Sequence, residues 1–151
     1  MEKGLNLKVN VIIETINLST QKVTKTSKVH NLVVNTGLNA VADLIAGFSS
    51  DVFEYMAIGE DNTAVVAGDT DLGIEVDRAL VTPTDEGIGI IEYDETFTFG
   101  TGDSFTITEA GLFNSLTPTG SIMLNRLVFT GHDVDVDNGV RVRITITVAN
   151  S

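Results

Sequence analysis

Apolar and polar residues alternate from near the start of the chain, where Leu5, Leu7, Val9, Val11 and Ile13 are interleaved with Asn6, Lys8, Asn10 and Ile12. A period of two puts one set of side chains on one face of a strand and buries that face. The phase changes after Ile13, because Ile16 and Leu18 fall on the other parity, and this predicts a bulge near Glu14 and Thr15. Asn17 to Thr20 carries turn chemistry, and Gln21 to Val34 reads as a Thr-rich, β-branched return strand. Residues 1–34 are therefore expected to form a long hairpin arm.

The period then changes. Leu38, Val41, Ala42 and Ile45 recur at helical spacing, Thr36 is placed to cap the first turn, and Gly47 suits the left-handed residue just past the end. One short helix near residues 37–46 is expected, packed across the end or side of a sheet. Strands separated by turn clusters follow: Phe53 to Ile58, Glu75 to Thr82, Ile88 to Phe99, Ser104 to Thr108, Ala110 to Asn114 and Ser121 to Thr130. A polar excursion from Gly59 to Asp71 and a turn over Pro83 to Gly87 separate them, and the only prolines, Pro83 and Pro118, fall in loops. The pattern predicts an all-β chain, mainly an antiparallel β-sandwich or jelly-roll-like fold, forming a single domain over residues 1–151.

The C-terminal run His132 to Val148 alternates so regularly that it predicts a hairpin with a defined register. A three-residue loop of Asp137, Asn138 and Gly139, with Gly139 left-handed, places Val136 opposite Val140 and Val134 opposite Val142. The same register sets Asp135 against Arg141 and Asp133 against Arg143, pairs that fix strand alignment more than they add stability.

Composition narrows the function. The 151 residues are 42% hydrophobic and 20% charged, with no Cys and no Trp. Such a chain can bury a core without staples, and it has no disulfide framework, thiolate nucleophile or Cys-ligated metal. Aromatic residues make up 6%, too few for the stacking platforms that read single-stranded nucleic acid or sugars. The net charge of -12 opposes approach to phosphate backbones and anionic lipid, and no apolar run is long enough to span a bilayer or serve as a signal peptide. Neither nucleic acid nor a membrane is expected as a partner. The charge is also uneven. All five lysines (Lys3, Lys8, Lys22, Lys25 and Lys28) precede residue 35, where Glu2 and Glu14 are the only acids, giving +3 there and -15 in the remainder. Either this is a solubilised surface, or the basic arm meets the acidic body of a neighbouring copy or an acidic partner.

No constellation of catalytic type stands out. Asp133, Asp135 and Asp137 resemble the opening of a calcium loop, but Asn138 replaces its glycine and Ile144 its bidentate glutamate. Glu92, Asp94 and Glu95 could supply a glycosidase pair, although Glu92 and Asp94 share one face of an expected strand and read as a solvated surface. Gly87-Ile88-Gly89 and Gly100-Thr101-Gly102 do not complete a dinucleotide fingerprint. His30 and His132, the only histidines, lack a nucleophile motif beside them. No catalytic, cofactor or metal site is expected, and the chain is not read as an enzyme.

The string Val33-Val34-Asn35-Thr36-Gly37-Leu38-Asn39-Ala40-Val41-Ala42-Asp43-Leu44-Ile45 leads into Tyr55-Met56-Ala57-Ile58-Gly59. Asp71-Leu72, Glu75 to Arg78, Ile107-Thr108-Glu109-Ala110-Gly111-Leu112-Phe113-Asn114 and Met123-Leu124-Asn125-Arg126 follow in order, ahead of a Thr-rich final strand. From about residue 30 onward this order resembles the small all-β structural proteins of the heads and tails of tailed bacteriophages. The resemblance implies a virion component assembled in the host cytoplasm, with no active site to carry over. A compact unit with an arm, lacking repeats or heptads, fits a capsid decoration or cement protein, with a tail, baseplate or fibre module as the alternative. A host-glycan-binding module is the reading from a different class. The expected partners are the major capsid protein or another virion structural protein, and further copies of the chain. The open edges of a hairpin arm are most simply covered by another chain, so a homo-oligomer is expected, a trimer by preference.

Overall fold

The longest ladder joins the two ends of the chain. In the computed structural model, which describes residues 4–151 without the side chains of Lys28 and His30, β1 (Leu5–Asn17) pairs antiparallel with β10 (Asn138–Asn150). The pairing runs unbroken from Leu5 opposite Asn150 to Asn17 opposite Asn138. On the other side of β1 lies β2 (Lys22–Lys28), so the expected N-terminal hairpin is present, with its first strand built into the sheet interior. Whatever the hairpin adds over residues 1–3 lies outside the described residues. Asn17 shapes its turn, its Oδ1 accepting hydrogen bonds from the amides and hydroxyls of Ser19 and Thr20 at 2.9–3.1 Å.

An irregularity does fall between Thr15 and Ile16 of the β1–β2 pair, but the extra residue is Thr24 of β2, so the bulge expected in β1 itself does not form. Because β1 stays in register with β10, Val9, Val11, Ile13 and Thr15 all keep the core-facing parity. The return strand is not continuous to Val34. It divides at Val29, and β3 (His30–Val33) crosses to a second sheet.

The remaining strands are β4 (Tyr55–Gly59), β5 (Glu75–Leu80), β6 (Thr84–Gly87), β7 (Ile90–Phe97), β8 (Ser104–Phe113) and β9 (Met123–Asp135). They complete two antiparallel five-stranded sheets, ordered β2-β1-β10-β7-β6 and β3-β9-β8-β4-β5. The segment after Pro83, expected as a plain turn, supplies the short edge strand β6. Between the sheets lie Val11 and Ile13 of β1, Val140, Val142, Ile144 and Ile146 of β10, Tyr93 and Phe97 of β7, and Ile58, Leu112 and Leu127 from the second sheet. This is an all-β sandwich whose buried positions follow the period of two.

The expected C-terminal hairpin does not form. β9 belongs to the second sheet and β10 to the first, so Val136 and Asp137 carry the chain across the edge of the sandwich as an arch. Val134 faces Phe105 of β8, while Val142 lies between Ile13 and Glu95. The ion pairs follow the true neighbours: Arg141 binds Asp94, and Arg143 binds Glu14. Asp135 holds the arch, its Oδ1 accepting from the amides of Asp137 and Asn138 at 2.9 Å. Gly139 is not left-handed. Its missing side chain serves close packing, since a Cβ there would lie 2.7 Å from the Phe97 carbonyl oxygen.

The one helix of the described residues, α1 (Asn35–Ala46), ends at Gly47 with φ 73°, as its C-terminal glycine predicts. Thr36 does not cap it: the cap position is Val34, and the Thr36 hydroxyl donates to the Met123 carbonyl at 3.1 Å. That bond, and Gly37 lying against Leu124, dock α1 on the start of β9. A Cβ at Gly37 would sit 2.2 Å from the Leu124 carbonyl oxygen, and backbone cannot step aside cheaply. Gly37→Ala is accordingly expected to cost about 1–3 kcal/mol, overriding the gain of about 1 kcal/mol that alanine brings to a helix interior. Urea denaturation measures it, and a stabilised variant would contradict the close docking.

Candidate functional site

Three places in the fold are candidates for a function, two of them polar and one apolar. The first follows from an irregularity between Ile107 and Glu109, where Thr108 stands opposite the stretch between Val128 and His132. Before it Ile107 faces the core; after it Ala110 and Leu112 do. The phase change turns Glu109 to the other face of the second sheet, where the loop between β4 and β5 covers it. Leu72 of that loop packs with Ala57, Phe113, Met123 and Val34 as a second, smaller core.

Glu109 is wholly buried there. Its Oε1 accepts from the amides of Asp61 and Ile74 at 3.2 and 2.9 Å, and its Oε2 from the Gly73 amide at 3.0 Å. Arg126, on the neighbouring strand, binds Oε2 at 3.0 Å and reaches on to Asp69 at 3.1 Å, to the Thr63 carbonyl at 3.2 Å and to Asp61 at 3.5 Å. Burial works against the charge on Arg126, but the bonds to Asp69 and Glu109 outweigh it and raise its pKa. Asp61 is held below the usual carboxylate range by hydrogen bonds from Thr63 and by the Arg126 charge. Both oxygens of Glu109 and all three side-chain nitrogens of Arg126 have partners within the chain, so the pair anchors the loop. Glu109 and Arg126 belong to the strings that carry the resemblance. A lone Glu and a lone Arg within apolar strands were the signal for their burial.

The second place is His132, fully buried on β9. Its Nδ1 lies 2.7 Å from Thr15 Oγ1 of β1 and its Nε2 2.9 Å from Ser27 Oγ of β2, so one imidazole ties both strands of the hairpin to the opposite sheet. Phe129 meets the ring edge-on at 5.8 Å. Burial, with Lys25 nearby and Asp133 acting in the opposite sense, pushes its pKa down to about 4. The Lys25 ammonium donates to the Gly131 carbonyl beside it. Both ring nitrogens are engaged by hydroxyls, and among the described residues no carboxylate bonds to either of them. The side chain of His30 lies outside the described residues.

The third place is apolar. Val41 and Leu44 of α1 meet Leu7, Ile91, Tyr93, Leu124, Ile146 and Val148 around a cleft of about 270 Å³ at the end of the sandwich. Beside it α1 is not covered by the described residues: Gly37 is its one buried residue, and Leu38, Ile45 and, just past its end, Phe48 are 51%, 77% and 84% exposed. Leu38 and Ile45 stand seven residues apart, hence on one face of the helix.

Other candidate residues have structural partners. Asp133 accepts from the Thr106 hydroxyl at 2.7 Å and Asp135 caps the arch, which holds its pKa below the ordinary value. Among the described residues no group of three or more His, Asp or Glu is arranged to hold a metal ion. Asp94 is taken by Arg141 at 2.8 Å, and Glu92 lies near the Thr145 hydroxyl. Lys22 and Lys25 stand on the edge strand β2, as does Lys28 by its backbone position. No family model matches the chain, and no match was found to a curated protein sequence or to a solved structure.

Proposed function

We propose that the chain is a structural component of a tailed-bacteriophage virion, a decoration or cement protein that binds the head shell, most simply through the major capsid protein, and holds neighbouring subunits together. The observation that carries this reading is the uncovered apolar surface of α1 beside the cleft. Leu38, Ile45, Phe48 and Val52 are all about half exposed or more. Contiguous exposed apolar area of this kind marks a contact surface, while the ionisable groups of the interior are committed to architecture. Cementing a shell needs area and multivalency rather than a reactive group, and the two rigid sheets and the exposed face of α1 offer area.

Immunogold imaging of purified particles from the strain that carries the gene tests it. Label on heads is expected. Label on tails would reassign the chain to a tail, baseplate or fibre module, and particles without label would overturn the virion assignment. Replacing Ile45 and Phe48 together by Asp is expected to weaken particle binding by about tenfold or more, as for anchors at the centre of an interface. The melting temperature should be almost unchanged, because neither side chain is buried in the isolated chain.

A further inference from the structure

The ion pairs are distributed unevenly. All four arginines are paired within the chain: Arg78 with Glu75, Arg126 with Asp61, Asp69 and Glu109, Arg141 with Asp94, and Arg143 with Glu14. Lys8, Lys22 and Lys25 have no carboxylate partner among the described residues. These lysines share one margin of the first sheet. Lys22 and Lys25 are on its edge strand β2, and Lys8 is on the part of β1 that extends beyond β2, whose pairing begins at Ile12.

The opposite margin of the same sheet is β6, which carries Asp85 and Glu86, both exposed. Glu95 lies on β7 past the end of β6, and Asp77 on the neighbouring edge strand β5. No lysine or arginine side chain among the described residues is within ion-pair distance of these four acids. Glu95 is pushed above the ordinary carboxylate range by burial and by the nearby Asp94 and Asp77. Each margin also exposes apolar side chains: Leu5 and Val23 on the basic one, and Ile88 at the tip of the β6–β7 turn on the acidic one.

We infer that the basic margin of one copy docks on the acidic margin of the next, head to tail along the first sheet, so that a second copy of this chain is the occupant of both edges. The inference deepens the proposed role by naming the surface through which copies join. Opposite charge on two different margins favours a heterologous contact over a two-fold one, because a two-fold contact would set like charges against each other. A heterologous contact closes into a ring when the rotation permits, and the match of margins covers edges that would otherwise stay open.

Sedimentation of the full chain tests this with three variants. The wild type is expected to form a defined oligomer, a trimer by preference. Lys8→Glu, and separately Asp85→Lys, should each weaken assembly by about tenfold or more, and the two changes combined in one chain should restore it. A monomeric wild type, single-margin variants that assemble normally, or a combined variant that stays dissociated would each overturn the inference. Carbodiimide cross-linking of the wild type reads the same contact without substitutions. Intermolecular amides joining Lys8 to Asp85 or Glu86, or Lys22 or Lys25 to Glu95 or Asp77, are expected, and cross-links confined to other surfaces would refute it. Labelled heads with a monomeric protein would remove the ring and keep the virion reading, whereas a ring without labelled particles would do the reverse.

Discussion

Glu109→Ala is expected to lower the unfolding free energy by about 3–5 kcal/mol, the usual consequence of removing one partner from a buried ion pair. Two losses combine. Arg126, 3% exposed, keeps its charge and loses its nearest counter-ion, and the amides of Asp61, Gly73 and Ile74 lose their acceptor. Arg126→Met should cost less, because Glu109 would still accept all three amide bonds and a thioether chain fills part of the space. In a domain of this size a loss of about 4 kcal/mol corresponds to a melting temperature lower by about 8–16 °C. Thermal melts and urea titrations of the two variants give the order, and hydrogen exchange should show amides of the loop between β4 and β5 losing protection first. A Glu109→Ala protein within about 1 kcal/mol of wild type would mean that the loop is held by its apolar contacts alone.

Acid should destabilise the protein through His132 before it acts on most carboxylates. The group has an ordinary pKa of 6.5 and is pushed down to about 4 in the fold, so between these values the unfolded chain binds a proton that the folded chain refuses. The unfolded state therefore gains as pH falls. Stability is intact above about pH 6.5 and declines by about 1.4 kcal/mol per unit, for a loss of about 3 kcal/mol by pH 4. Lowered groups such as Asp94 and Asp135 act in the same direction but further down, as pH falls below their ordinary value of 3.8, whereas the raised Glu95 works in the opposite sense. His132→Gln retains an amide that can meet Thr15 and Ser27 while removing the titration. Its stability should change little between pH 6.5 and 4.5, where the wild type falls. Parallel pH profiles for the two proteins would rule out the buried imidazole as the source.

The two expectations differ in how far they could be read from residues alone. That His132 is an uncommon residue in a strand was visible, but its burial depends on the register of β8 with β9, which changes phase opposite Thr108. Glu109 was visible as part of a motif and as a lone acid in an apolar strand, but not as a group under a loop. Its position under a loop requires the same phase change, and Thr108 Oγ1, buried with no hydrogen-bond partner, sits at that break. An irregularity of one or two residues in a ladder has no strong local signature, yet it decides which face every following side chain occupies.

Local rules were enough for most of the strands, the helix and its glycine end, and the buried face of β1 and β10, but not for β6, the break of the return strand at Val29 or the continuity of β8 across Thr108. Each depends on a repeat of two or about 3.6 residues, or on the conformational freedom of glycine, and these act within a few positions. The choice of neighbours was settled by the tertiary structure. The valines from Val134 to Val142 alternate equally well in a hairpin and in an arch between two sheets, because alternation states which side chains face inward and not which strand lies alongside. Arg141 and Arg143 would have paired as readily with Asp135 and Asp133. They meet Asp94 and Glu14 because β10 enters the sheet between β1 and β7, and that placement is set by burying two apolar faces against each other, an energy that depends on the whole sandwich rather than on any segment of it.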